Sequence, residues 1–277
     1  MSNSIEKVGF VGFGPMGQLM AKRMFEGDEI EFVDPGMPEV PEGITASKTE
    51  RAIDFAIGMD TVVLAVPASA MPGVAKDVII SPRVKSFWPG RVTRDFETPL
   101  IVEPCSVKLF PEAVIEGIDP DYPELLHCHP MFGPESASES VANRTLFVTK
   151  KNGEKADRLL DRWQGLGVNI IEMTADEHDK LMFERHVKPF VLGRMATAFG
   201  IGDIDMPELD TTSFLAAKAL ADLDKKHSEE LFRTIVSFNP YARDIWQHAD
   251  QIIRSIRDRN ILSDFLLSTM GIGSIEA

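Results

Sequence analysis

The sequence predicts an α/β domain built on a parallel sheet, followed by an all-α helical domain. Three observations carry that expectation. Between residues 7 and 172 short β-branched and apolar runs alternate with helix-like stretches, the spacing of strands joined by crossover helices. A glycine-rich turn directly follows the first run. After residue 173 the strand-like runs stop, and apolar residues such as Ile245, Ile252, Ile253 and Ile256 recur at helical spacing. The boundary is expected at 173, giving units of 1–173 and 174–277.

Strands are expected at 7–12, 29–33, 61–66, 99–103, 124–128, 145–149 and 168–172. Two capping boxes of the form S/T-x-x-E, Ser47 with Glu50 and Thr174 with Glu177, mark helix starts. Glycine and proline clusters at 200–207 and 239–240 break the later helices.

Residues 8–17 read VGFVGFGPMG, so Gly12, Gly14 and Gly17 form G-x-G-x-x-G between a strand and a helix expected over 18–25. In that pattern the first glycine makes the tight turn and the second admits a pyrophosphate close to the backbone. The third lets the helix pack on the strand. Free N–H groups at the helix start would face the phosphates, and Phe13, Pro15 and Met16 complete the expected cofactor loop. The second strand ends at Asp34, placed to accept from adenosine ribose hydroxyls and to repel a 2′-phosphate. Residues 35–40 hold no Lys or Arg, which favours NAD over NADP, with NADP still possible. Val66 and Pro67 close the run TVVLAVP at the strand edge where ligands bind in such sheets. Strand, turn, helix, second strand and acid in sequence define a Rossmann-type dinucleotide-binding domain.

Two more strand ends carry polar groups: Ser106 and Lys108 after PLIVE, and His129 to Ser136 after ELLHC. A serine and a histidine there can handle the proton of a hydroxyl whose carbon gives up a hydride. His127 lies inside the apolar run and His129 is expected to open the loop, so His129 is the favoured base.

The chain carries 43 acidic and 29 basic residues, a formal charge of −14, and no long basic run. That balance argues against duplex nucleic acid or an anionic membrane surface as a partner. No run approaches the roughly 18 apolar residues of a membrane span, and MSNSIEKVGF lacks a secretory pattern, so a cytoplasmic location is expected. Cys105 and Cys128 read as buried free thiols, and the six histidines lack metal-ligand spacing, so no metal is expected. An anionic substrate and cofactor would have to overcome the net charge locally. The helix start after Gly14, Lys108 and an arginine of the helical half are the candidates.

VGFVGFGPMG, DTVVLAVP, EPCSVK, HPMFGPES and TADEHDKLM, in this order, resemble the prephenate/arogenate dehydrogenase family of tyrosine biosynthesis. HPMFGPES is most similar to its plant-type arogenate branch. The resemblance spans residues 6–195 and, more loosely, SEELFRTIVSFNPYA at 228–242. It implies NAD(P)-dependent oxidative decarboxylation of prephenate or arogenate, with His129 as catalytic base on the ring hydroxyl and Ser106 orienting it. It further places Glu135 and Ser136 near the substrate, Asp179 on the family's His-Asp pair, and a homodimer formed through the helical domain. Many members have Gln at the position of His186 and His one turn later, where this chain has Phe190. Pro189 falls inside that helix, where it is expected to kink it. Arg233 is the nearest match to the arginine that grips a substrate carboxylate, one residue out of register; His186, Arg185 or Lys188 are alternatives. These departures keep two other readings in view: a relative acting on another cyclohexadienyl acid, and a nucleotide sensor with reduced catalysis. The glycine motif alone also suits 3-hydroxyisobutyrate dehydrogenases and pyrroline-5-carboxylate reductases, which HPMFGPES disfavours.

Overall fold

The computed structural model describes residues 5–36, 38–42, 46–48, 56, 58–86, 98–204 and 206–259. Eight strands form one sheet: β1 (Lys7–Val11), β2 (Glu29–Val33), β3 (Ala46–Lys48), β4 (Thr61–Leu64), β5 (Leu100–Glu103), β6 (Leu125–Pro130), β7 (Thr145–Asn152) and β8 (Asn169–Glu172). Their order is β3-β2-β1-β4-β5-β6-β7-β8. The first six are mutually parallel, the arrangement of a doubly wound nucleotide-binding sheet. β7 runs antiparallel to β6 and carries β8 parallel to itself, so the parallel sheet expected from the sequence ends at β6.

All seven expected strands are present, and the sequence reading missed the three-residue β3. Ser47, expected to cap a helix, instead pairs with Glu31 inside β3, and Glu50 lies outside the described residues. β6 continues two residues further than expected, to Pro130, because β7 is long enough to pair with it there. His129 is therefore a strand residue opposite Phe147, not the start of a loop. The ladder shifts register between His127 and Cys128.

Helices α1 (Pro15–Arg23), α2 (Met71–Ser86), α3 (Leu109–Ile118) and α4 (Glu154–Gly165) accompany the sheet. α1 starts three residues earlier than expected because Pro15 sits in its first turn, where a missing N–H costs nothing. One apolar layer contains Phe10, Phe13, Phe25, Phe32 and Trp163, with Phe13 stacked on Phe32 at 4.4 Å. The buried indole donates to the Met24 carbonyl at 3.1 Å, which fixes α4 against the end of α1. The other layer places Val62, Leu64, Ile101 and Leu125 under Met71 and Ile79 of α2.

From Ala175 onward the described residues form helices joined by turns, with no strand among them: α5 (Ala175–Met182), a π-helical turn (Phe183–Val187), α6 (Lys188–Ala198), α7 (Thr212–Lys226), α8 (Glu229–Ser237) and α9 (Ile245–Arg259). Thr174 and Glu177 form the expected capping box at the start of α5, the Thr174 hydroxyl accepting from the Glu177 N–H at 3.2 Å. Pro189 produces a widened turn in which the Lys188 N–H reaches back five residues to the Phe183 carbonyl. Pro189 has no N–H for a carbonyl four residues back, and the extra residue in the turn relieves that mismatch.

The glycine turn sets the most demanding local constraint. Gly12 has φ +84°, and a Cβ on it would lie 2.4 Å from the Ala65 carbonyl oxygen. A Cβ on Gly14 would meet nothing within 4 Å. Gly12→Ala is therefore expected to lower stability by about 2 kcal/mol or more, and Gly14→Ala by less than about 1 kcal/mol. Urea denaturation checks this, and equal losses in the two variants would contradict the close approach of Gly12 to β4.

Candidate functional site

Gly14, Pro15 and Met16 line a solvent-open cleft of about 240 Å³, together with Val66 and Pro67 after β4, Pro104 to Ser106 after β5, and the start of α8. No side chain caps α1, so its first amides are left for a ligand. Asp34 holds the turn: one carboxylate oxygen accepts the Phe13 N–H at 2.8 Å and the other the Gly36 N–H at 2.7 Å. Each oxygen keeps a further lone pair for a ribose hydroxyl. Phe13 contributes only backbone here, since its ring is in the core. The residues present thus fit a dinucleotide: open space at Gly14, uncapped helix amides and an acid at the end of β2.

Ser106 forms one wall of this cleft, half-buried. His129 lies at the end of β6, the strand next to β5, and is 3% exposed. A chain of hydrogen bonds runs behind His129. Its Nδ1 lies 2.9 Å from His178 Nε2, and His178 Nδ1 lies 2.8 Å from Asp179 Oδ1. Asp179 also accepts the Lys108 N–H at 2.8 Å and the Leu109 N–H at 3.0 Å, closing the N-terminus of α3, which has no cap of its own. Its backbone carbonyl accepts from Asn239 Nδ2 at 2.8 Å.

The proton positions follow from these partners. A carboxylate only accepts, so His178 Nδ1 carries a hydrogen. Burial, partly opposed by the bond to Asp179, holds the His178 pKa below the ordinary histidine value, so the ring is neutral and its Nε2 is a bare lone pair. That lone pair must accept from His129 Nδ1–H. Burial, then the neighbouring His178 and His186, depress the His129 pKa well below the ordinary value, so His129 is neutral as well. Its remaining nitrogen, Nε2, is an unprotonated acceptor that makes no hydrogen bond among the described residues.

Lys108 and Glu103 form a fully buried ion pair under this chain, 2.6 Å apart. Lys108 Nζ also donates to the carbonyls of Glu103 and Cys128, and Glu103 accepts at 2.9 Å from His127 Nδ1. Burial would raise the Glu103 pKa, but Lys108 and His127 outweigh it and the carboxyl stays ionised. Lys108 therefore joins the ends of β5 and β6 and is not free to meet an anionic ligand, contrary to the sequence expectation. His127 belongs to this buried pair. Burial pushes the Cys105 and Cys128 thiols up to about 12, and both are free.

The π turn brings His186 to the same place, its ring 5.3 Å from that of His129. His178 and His186, two turns apart on the expected helix, thus both lie against the ring of His129. Phe190 stacks on His227 at 4.6 Å, in the neighbourhood of His186. Other sequence candidates lie further out. Arg233 is on the exposed face of α8, 3.9 Å from Glu230, while its neighbour Thr234 faces the cleft. Arg185 is exposed, and Lys188 pairs with Glu184 at 2.6 Å. Glu135 is exposed and pairs with Lys226 at 3.6 Å, and Ser136 bonds within its own loop to Gly133. Sequence reasoning did not find His178 as the partner of His129. The signal was present: a His-Asp pair in the first turn of a capped helix.

No family model matches the chain. It is 23% identical over 264 residues to arogenate dehydrogenase 2, chloroplastic, of Arabidopsis thaliana, covering 92% of this chain and 70% of that protein. It is 22% identical over 246 residues to arogenate dehydrogenase 1, chloroplastic, of the same plant, spanning 86% of this chain but only 36% of the relative. Its fold is similar to that of prephenate dehydrogenase from A. aeolicus, solved with hydroxyphenyl propionate and NAD+. That likeness has TM-score 0.63 and 17% identity, and it covers 99% of this chain and 100% of the other.

Three histidines held below their ordinary pKa, the buried His129 and His178 and the half-buried His186, impose a pH dependence on stability. In the unfolded chain each titrates near 6.5, so below that pH the unfolded state binds more protons and gains ground. Stability is expected to fall between about pH 7 and pH 5. His186, depressed to about 4 by burial, then by His178 and His227, contributes part of this loss. Denaturation curves at several pH values should show a shallower decline for His186→Phe than for the parent chain, and identical slopes would contradict a neutral His186.

Proposed function

We propose that this chain, a relative of the prephenate and arogenate dehydrogenases, is an NAD-dependent oxidoreductase that oxidatively decarboxylates a cyclohexadienyl acid of the prephenate or arogenate type. The observation that carries the reading is the Asp179–His178–His129 chain, which leaves a neutral acceptor nitrogen one strand away from the cleft at the glycine turn. When bound, the cofactor supplies the hydride acceptor. His129 Nε2 takes the proton of the ring hydroxyl as the carbon beneath it is oxidised. The positive charge that develops on His129 is shared along the chain toward Asp179, without a proton having to leave Asp179's partner. Loss of the ring carboxylate as carbon dioxide sends its bonding pair into the ring, and the proton held on His129 returns to the phenolic oxygen. Aromatisation supplies the driving force, so alignment and proton handling are what the protein contributes. Ser106, in the wall of the cleft after β5, orients the same hydroxyl.

Asp34 and the absence of Lys or Arg in residues 35–40 favour NAD. The two functional units are residues 1–173 and 174–277. The helical unit exposes Phe199, Ile204, Leu209, Trp246 and Ile253, each at least half exposed, and a second copy of the chain would cover them.

Incubation with prephenate or arogenate and NAD should yield NADH, carbon dioxide and a phenol. NAD binding without reduction by either acid would instead leave a nucleotide-binding protein. His129→Asn is expected to lower kcat by about 10²–10⁴-fold while the Kd for NAD stays unchanged. Because His129 is held neutral, kcat should stay level down through the ordinary histidine range and fall only at lower pH; a midpoint above about 6.5 counts against the hydrogen-bond chain. Asp34→Ser should raise the NADP-to-NAD ratio of kcat/KM, and an unaltered ratio would place ribose recognition elsewhere.

A further inference from the structure

His186 has a feature that packing does not explain. Its Nδ1 is buried with no hydrogen-bond partner, and its Nε2 makes no hydrogen bond among the described residues. A phenylalanine would fill the same space without stranding a polar atom, so histidine costs stability at this position. The ring is nonetheless held at right angles to the His129 ring, 5.3 Å between centres. It faces His129 from β6, His178 from α5 and His227 from the end of α7. On the other segments packed against the π turn, Glu229 pairs with Arg194, Glu230 with Arg233 and Tyr241 with Asp176, and Thr234 of α8 faces the cleft.

We propose that His186 is a second hydrogen-bond partner of the reacting oxygen, donating a neutral Nε2–H to the oxygen whose proton His129 removes. A neutral imidazole carries one hydrogen, and a buried N–H with no acceptor is rarer and more costly than a bare lone pair. The hydrogen therefore sits on Nε2, and Nδ1 stays bare. Protonation would add an unpartnered N–H at Nδ1, consistent with a pKa pushed down to about 4 by burial, then by His178 and His227. His129 and His186 thus have opposite polarity, one accepting and one donating. A hydroxyl needs both: it donates to His129 and accepts from His186. Once the carbon is oxidised, the same oxygen is a ring carbonyl and receives electron density as the ring carboxylate departs. A donor fixed there stabilises that change without adding a charge.

The inference rests on the dehydrogenase reading and is tested beside it. Steady-state kinetics with prephenate or arogenate and NAD are compared for the parent chain, His186→Phe, His186→Asn and His186→Gln. The amide nitrogen of Gln reaches the place of Nε2 and that of Asn the place of Nδ1. Phe and Asn are expected to lower kcat roughly 10- to 100-fold, with Gln within about threefold of the parent, the Kd for NAD unchanged and His186→Phe at least as stable to heat. Parent-like kcat in His186→Phe, or an equal loss in Gln and Phe, overturns the role of His186 while leaving the dehydrogenase standing. A parent chain that reduces no NAD with either acid fails the dehydrogenase reading and overturns the inference with it.

Discussion

One carboxylate, that of Asp179, is bound on three sides. It closes the amino end of α3 through two backbone amides, receives the His178 ring hydrogen, and sits on a backbone segment tied to Asn239. The first contact belongs to the sheet half and the others to the helical half, so the same group that joins the halves also fixes which nitrogen of His178 is protonated. Everything downstream, including the unprotonated face of His129, follows from that orientation. Its amide donors hold the carboxylate in place, so the tautomer of the two rings behind it is set by the hydrogen-bond partners each ring meets.

The glycine turn, the strand run and the helical second half were legible because each has a short-range signature: Gly12 at a position closed to side chains, alternation of apolar runs, a capping box at Thr174. The end of β6 was not, because its length depends on pairing with β7, a contact between residues some 20 positions apart. Ser47 was misread for a related reason, since a capping pattern describes a local possibility and β2 decided otherwise. In the candidate site, the place of Ser106 in the cleft wall was legible from its strand end, whereas His129, expected to open a loop, is a residue of β6. The pairing of His129 with His178 spans 49 residues, and no spacing rule anticipates it.

Charge illustrates how far a global count can mislead. A net of −14 suggested that Lys108 would face an anionic ligand. Its ammonium instead spends all its hydrogen bonds on Glu103 and on the Cys128 carbonyl, inside the protein. Removing either partner would strand a buried charge, so this pair acts as a rivet between β5 and β6. The site above it is built from uncharged imidazoles. A set of neutral groups polarises an oxygen while leaving the field of the acidic surface to act on approach, not on chemistry.

The five-residue π turn at Phe183–Val187 gives the helical half a fixed phase relative to α5. Taking out one residue there would restore ordinary winding and rotate everything after it by about 100°. His186 would swing off His129, and Gly193, whose close approach to the Leu220 carbonyl lets α6 lie against α7, would be turned away from it. Chain length in this segment is thus as restricted as side-chain identity. Among descendants of this sequence, insertions and deletions should accumulate in the 200–210 connection and be purged from the turn, even where substitutions within the turn are accepted.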